Sequence, residues 1–346
     1  QPLLVLLAFY LYWQHQLILG ILFKLVIMEL NEMSELVSVI VPMYNHARYI
    51  QQCLDSVYNE DYPNIELIII DDGSNDESVE VAKKWRESHQ GKFHRFHIET
   101  QENRGICKTL NKLISLAQGE YIIPLASDDY LLPGNVQLRI NALSNHPDWL
   151  AVFGDTIVVD ENNKLLSDSG LEFHGGRKKI LSNQTFMRRE MILNWAIPGP
   201  VILARKDAYN PTIGIGLYDE NLYNEDIDSY YRLLARNALG FIDAKVAAYR
   251  IVNNSMSHNE KIKNKLRKAW RDACVKNINQ FRGINKLYLH LLLHKFNLII
   301  EYHEEKSLPN YLKRIPITII FKLIYCIHIT HFYLTHFITC YNRKLF

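Results

Sequence analysis

Two pairs of adjacent carboxylates, Asp71-Asp72 and Asp128-Asp129, stand out in this 346-residue chain. Neighbouring carboxylates repel one another, so keeping both ionised calls for a compensating charge. A divalent cation supplies one: Mg²⁺ or Mn²⁺ takes oxygen ligands and bridges one or two carboxylates to substrate phosphates. Taken singly, DDGSND and SDD have a plainer reading as turns and helix caps, where Asp, Asn, Ser and Gly dominate. No GxGxxG and no GxxxxGK(S/T) occurs, which argues against dinucleotide oxidoreductase and P-loop ATPase chemistry, and no GxSxG elbow is present.

The elements around these acids place them. Residues 37–41 (VSVIV) form a short β-branched run bounded by Pro42 and read as a buried strand. Over 47–59, Ile50, Cys53, Leu54 and Val57 recur at helical spacing. Residues 65–70 are the second strand and run into Asp71, Asp72 and Gly73, after which Ser74 and Glu77 make a capping-box pattern. A weaker strand is predicted over 93–98, then a helix lined by Ile106, Leu110, Leu113 and Ala117 and stopped by Gly119, then a fourth strand over 121–125. This alternation predicts an α/β fold with a mostly parallel, right-handed crossover sheet and helices on both faces. Ligands bind such sheets beyond the carboxyl ends of the strands, so the two acid pairs share one rim. Past Asp160 a polar loop over 161–179 leads to WAIPGP at 195–200, and 226–239 is again helical, with Gly240 as its stop signal and Asp228 as a helix-surface acid.

In order, the segments VSVIVPMYNHARYIQQCLDSV, IELIIIDDGSNDES, ENRGICKTLNKLISLAQGEYIIPLASDDYLLP and YNEDIDSYYRLL closely resemble the family 2 glycosyltransferases. The resemblance covers roughly 37–257 and implies a Rossmann-like GT-A fold with inverting, metal-dependent, nucleotide-sugar-using chemistry. It implies that Pro42 and Tyr44 border the nucleotide base, that Asp71 or Asp72 accepts from the uracil or an equivalent ring, and that Asn103 and Gly105 lie beneath the nucleotide. Asp128 matches the second Asp of the DxD metal motif, with Ser127 beside it on the nucleotide and Asp129 after it as a further metal ligand. Asp226 matches the catalytic base. Glu225, next in line for that role, is expected to orient the loop or contact the acceptor, together with Arg232 and Trp195; core packing is an equal reading of a single Trp. An inverting transfer needs the acceptor hydroxyl deprotonated on one face of the donor sugar while the diphosphate leaves from the other.

Three positions depart from the family pattern. Ala126 stands where the first Asp of DxD is common, Leu110 where Arg is frequent, and Val252 where a His is common. Lys108 is then the candidate for phosphate neutralisation, and His258 the candidate third metal ligand, with a solvated loop histidine as its plainer reading.

Composition bounds the remainder. Lys and Arg number 39 against 37 Asp and Glu, a net +2 that gives no reason to expect nucleic acid. The charge is uneven: 1–250 carry 23 basic and 32 acidic residues, 251–346 carry 16 and 5. Five scattered cysteines without a CxxC pair argue for a reducing compartment and against structural zinc. The expected organisation is an apolar segment at 1–30, a catalytic domain at 36–258 with a nucleotide-sugar half (36–135) and an acceptor half (136–258), basic and apolar helices at 259–310, and an apolar membrane-associating tail at 311–346. Segment 1–30 reads as a membrane segment, with an extraneous tail and a buried helix as alternatives. The tail, flanked by Lys313, Arg314, Arg343 and Lys344, favours lying on an anionic membrane surface, with Lys261, Lys265, Lys268 and Lys276 drawn to lipid. Its His328, His331 and His336 read as interfacial or packed imidazoles rather than metal ligands.

The expected function is transfer of a hexose or N-acetylhexosamine from a nucleotide-diphosphate sugar, a UDP-sugar, to a hydroxyl of a lipid-linked saccharide in capsule, O-antigen or exopolysaccharide synthesis. The expected cofactor is Mg²⁺ or Mn²⁺ and the place the cytoplasmic face of the membrane. A non-catalytic sugar-nucleotide-binding scaffold is the rival reading. A nucleotidyltransferase would want a basic Gly-rich loop that PMYNHARY does not offer.

Overall fold

The computed structural model describes residues 34–343 apart from 90, 224, 253–259 and 306–307; the expectations for segment 1–30 and for His258 lie outside the described residues. Strands β1 (Val37–Met43), β2 (Ile65–Asp71), β3 (Arg95–Thr100) and β4 (Tyr121–Pro124) are parallel and stand in the order β3-β2-β1-β4. Every residue of β2 is buried, so this strand has no solvent face and reads as a continuous apolar run. Helices α1 (Ile50–Tyr58), α2 (Ser78–Ser88) and α3 (Ile106–Leu116) cross between them. In α1 the four residues at helical spacing, Ile50, Cys53, Leu54 and Val57, are the buried ones; full burial of an Ile or Leu side chain is worth ~1.5–3 kcal/mol.

After β4 the sheet becomes mixed. The later strands are β5 (Tyr130–Leu131), β6 (Ala151–Asp160), β7 (Leu165–Ser167), β8 (Ile202–Arg205) and β9 (Leu239–Ile251). Strand β8 runs antiparallel to both β4 and β6, while β9 is parallel to β6 and antiparallel to β5. One nine-stranded sheet results, in the order β3-β2-β1-β4-β8-β6-β9-β5 with β7 on β6. The later helices longer than four residues are α4 (Asn135–Asn145), α5 (Gln184–Leu193), α6 (Glu225–Ala235), α7 (Glu260–Asn277), α8 (Gly283–Glu305) and α9 (Leu308–Arg343).

Several local expectations need correction. The capping box at Ser74 is not formed: α2 starts at Ser78, Glu77 caps it without a side-chain bond, and Ser74 Oγ instead accepts the Asn45 N–H at 2.8 Å. Gly240 stops no helix. It lies within β9, where a Cβ would sit 1.9 Å from the Trp149 ring. Asp228 is a buried acid: it bonds Arg232 at 2.9 Å, Lys276 at 3.1 Å and Asn277 at 2.7 Å. Lys276 also pairs with Asp219 at 2.8 Å and Lys268 with Glu304 at 2.7 Å, both lysine side chains remaining partly exposed.

Helix α9 buries Ile317, Phe321 and Phe332 and leaves Ile319, Leu323, Ile327 and Leu334 exposed. Its segment Arg314–Thr335, 22 residues of mean hydropathy 1.6, is long and apolar enough to cross a membrane by length and composition. His328 is a packed imidazole as expected, although a carboxylate, Glu190, accompanies it at 3.2 Å.

Candidate active site

The carboxyl ends of β1, β2 and β3 are stitched into one rim. Asp72 N–H donates to Met43 O at 2.8 Å, His46 N–H to Ser78 Oγ at 2.9 Å, and Asn75 N–H to Asn45 Oδ1 at 2.8 Å. Asp71 is fully buried and accepts the Ser74 N–H at 3.2 Å, closing its own turn. Asp72 reaches the next loop: Oδ1 accepts from Arg104 N–H at 2.9 Å and Gln101 Nε2 at 2.8 Å, and Oδ2 from Gly105 N–H at 2.9 Å. Bonds to an ionised carboxylate are the stronger kind, so Asp72 fixes the loop that presents Asn103 and starts α3. Gly73 has φ +79°, and a Cβ there would lie 2.9 Å from the Asn103 nitrogen, so the turn has room only for glycine. Pro42, Tyr44, Asn103 and Gly105 thus gather on this rim, Tyr44 being 44% exposed. Lys108 sits half-buried in the first turn of α3.

After β4 the adjacent acids part ways. Asp129 is buried, and its Oδ1 accepts the Arg250 N–H at 2.7 Å. Burial first, then the charge of Asp128, raises its pKa well above the carboxylate range. Asp129 is thus turned into the protein, away from the rim where it was expected as a metal ligand. Asp128 stays on the rim, with His46 Nε2 3.8 Å from its carboxylate. The same imidazole meets Ser127 Oγ through Nδ1 at 2.8 Å. Arg250 pins this loop: Nε donates to Asp128 O at 2.7 Å, and the other nitrogens reach Asp160 O, Asn163 Oδ1 and Gln52 Oε1. Neither His46 nor Arg250 was singled out in the sequence, since their partners lie 81 and 121 residues away. Among the described residues, no group of three or more His, Cys, Asp or Glu side chains could hold a metal ion.

The Glu225-Asp226 step is brought up by α3. Asn111 exchanges two buried hydrogen bonds with the Tyr218 backbone, at 3.0 and 2.9 Å, and Cys107 Sγ meets Leu222 O. These contacts pin the loop that leads to Glu225 and Asp226 at the start of α6. Asp226 lines a cavity of about 340 Å³ with His174, Trp195, Pro198 and Tyr249. Its Oδ1 accepts the Ile227 N–H at 2.6 Å, which orients the carboxylate. Burial pushes its pKa up to about 6, and burial together with the neighbouring Asp226 charge pushes Glu225 up to about 7. Tyr249 links the two acid regions: after burial, the charges of Asp129, Asp128 and Asp226 help raise its pKa to about 12. Burial lowers the pKa of His174.

Trp195 both packs and lines the cavity, held edge-on by Tyr230 at 5.3 Å and Trp270 at 6.1 Å. Arg232, expected at the acceptor, is instead buried against Asp228 and the carbonyls of Ile215 and Gly216. Glu225 is half-buried beside the cavity residue Asp226. Neither His174 nor Tyr249 was given a role from the sequence.

A parallel half-sheet joined to a mixed half that carries acids at a helix start is the architecture of the GT-A fold. The chain belongs to glycosyl transferase family 2, whose model matches residues 38–210. It is 30% identical to an uncharacterized glycosyltransferase of Rickettsia typhi over 217 residues, 62% of this chain and 63% of that one, so it spans less than two thirds of that relative. It is 35% identical to a chondroitin synthase of Pasteurella multocida over 38% of this chain and 13% of the synthase. Among solved structures, TarS residues 1–349 of S. aureus with UDP-GlcNAc superposes with a TM-score of 0.59 at 18% identity, covering 82% of this chain and 79% of that one. The mannosyltransferase PcManGT of Pyrobaculum calidifontis, with GDP-Man and Mn²⁺, gives 0.54 at 19%, covering 82% and 79%.

Proposed function

We propose that the chain is an inverting transferase that moves a sugar from a nucleotide-diphosphate sugar, a UDP-sugar, to a hydroxyl of a lipid-linked saccharide during cell-surface polysaccharide synthesis. The observation that carries this reading is Asp226: an oriented carboxylate with a raised pKa, set in the wall of a cavity beside Trp195. A base is most effective when its pKa approaches the working pH, and burial moves Asp226 in that direction. Asp226 takes the proton of the acceptor hydroxyl, and Trp195 offers a ring face for the acceptor sugar. Glu225 supports the orientation of its neighbour. The neighbours that hold UDP-GlcNAc and GDP-Man support a nucleotide-sugar donor on the β1–β4 rim.

The rim also fits a divalent cation. Asp128 presents its carboxylate without a competing backbone donor, while Asp129 is turned away, so Mg²⁺ or Mn²⁺ would rest on Asp128 and the donor's phosphates. Such an ion, when bound, neutralises charge on the departing diphosphate. Asp72 and Gly105 hold the loop beneath the nucleotide, and Lys108 is the nearby cation on α3. The exposed apolar face of α9 supports a seat on the cytoplasmic side of the membrane, next to a lipid-linked acceptor.

The test is incubation of the protein with a panel of nucleotide sugars, Mn²⁺ or Mg²⁺ and a bacterial lipid extract. Sugar incorporation into lipid with equal nucleotide diphosphate release is the expected result. Donor binding without any release would instead identify a sugar-nucleotide-binding scaffold.

A further inference from the structure

Asn194, the residue before Trp195, closes α5. Its side-chain amide has two hydrogens and three acceptors within reach: Gly175 O at 2.7 Å, Tyr325 Oη at 2.8 Å and Glu190 Oε1 at 3.1 Å. Tyr325, on α9, donates its own O–H to Glu190 Oε1 at 2.7 Å. One turn along α9, His328 meets Glu190 Oε2 at 3.2 Å, and both side chains are almost wholly buried. A second link comes from the other strip of cavity wall. Arg177, two residues past Gly175, lies over the Tyr325 ring at 5.1 Å. Between them Gly176 packs so tightly that a Cβ would sit 2.8 Å from Ala196 Cβ.

The strips 174–177 and 194–198, which supply His174 and Trp195 to the cavity, are therefore tied to each other and to α9 through one amide and one phenol. A network of this kind, anchored on the buried Glu190 and reaching outward through the half-buried Tyr325 and Asn194, gains little stability over apolar packing of the same volume. Its members have strict angular demands, so what it adds is geometry.

We propose that Asn194 and Tyr325 are positioning residues that set the acceptor-side wall of the cavity, so that the placement of His174 and Trp195 depends on how α9 is seated. This rests on the reading of that cavity as the acceptor site, but its test needs no turnover and so fails or succeeds separately from that reading.

The experiment is amide hydrogen exchange on the full chain, comparing wild type with Tyr325→Phe, Asn194→Leu and an exposed control on the same helix, Ile327→Ala. Phe keeps the ring and its packing and loses only the O–H, so a purely structural role for Tyr325 would leave the cavity wall unmoved. In both network variants the amides of Gly175 and Gly176 should exchange at least about tenfold faster, with exchange across α8 unchanged, and the control should match wild type. Unaltered exchange at 174–177 in Tyr325→Phe overturns the proposal. So does acceleration spread evenly over α8, α9 and the wall, which would make the network a simple buttress. If Asn194→Leu does not fold, the Tyr325→Phe result decides.

Discussion

The Arg250 N–H donates to Asp129 Oδ1 at 2.7 Å, and that bond turns one of two adjacent acids into the protein while Asp128 remains on the rim. The two should respond differently to the same substitution. Asp128→Ala is expected to abolish Mn²⁺-dependent donor binding with little change in Tm. Asp129→Ala removes the acceptor of a buried N–H, which costs about 1–3 kcal/mol, and should lower Tm. Isothermal titration and thermal melts distinguish them; equal loss of metal dependence in both would return Asp129 to the ligand set.

Asp226→Asn keeps the shape of the side chain and loses its basicity. Turnover should fall by about 10² to 10⁴, the usual contribution of a general base, with donor affinity unchanged. A variant that keeps more than about a tenth of the wild-type rate would move the proton acceptor elsewhere, Glu225 first.

The raised pKa values of Glu225 and Asp226 give two pH dependences of opposite kind. Activity needs an ionised base, so turnover should decline as pH falls through the region of about 6 to 7, the two neighbours titrating as a pair. Stability runs the other way. A carboxyl raised in the folded state ionises less readily there than in the unfolded chain, so its ionisation weakens the fold above the folded value, and the penalty is absent below the unfolded value near ~4.3. Glu225→Gln should accordingly raise Tm at pH 8 and leave it unchanged at pH 4. An equal shift at both would assign the effect to packing.

Asp72 holds three donors of the 101–105 loop. Asp72→Ala is expected to loosen that loop, seen as faster exchange of the Arg104 and Gly105 amides, and to raise the donor KM more than it lowers kcat. Unchanged exchange there would mean that the loop is held by other contacts.

Leu323 and Ile327 are 57% and 65% exposed on α9. Replacing both with Asp should release the protein from vesicles of phosphatidylglycerol and phosphatidylcholine without a fall in Tm. Sedimentation as complete as wild type would locate membrane attachment outside this face.

The parallel half of the sheet and its rim acids were legible because they are local. A β-branched run, a helix with period near 3.6 and a turn rich in Asp, Ser and Gly each signal themselves within a few residues, and β2 runs directly into Asp71 as expected. The start of α2 and the place of Gly240 were not, since one depends on Ser74 being taken by Asn45 and the other on Trp149 lying against the strand.

Charges were the least legible. Asp228 and Arg232 have the spacing of a solvated helix face, and only the packing of α7 on α6 buries them, with the exposed Lys276 reaching in to Asp228. The residue order places carboxylates at strand ends and a helix start, because those positions follow from backbone periodicity. Which of them meets solvent or substrate depends on donors far away in the chain, as Arg250 does for Asp129 and Arg104 for Asp72, and such pairings exist only once burial has made an unpaired carboxylate too costly to leave alone.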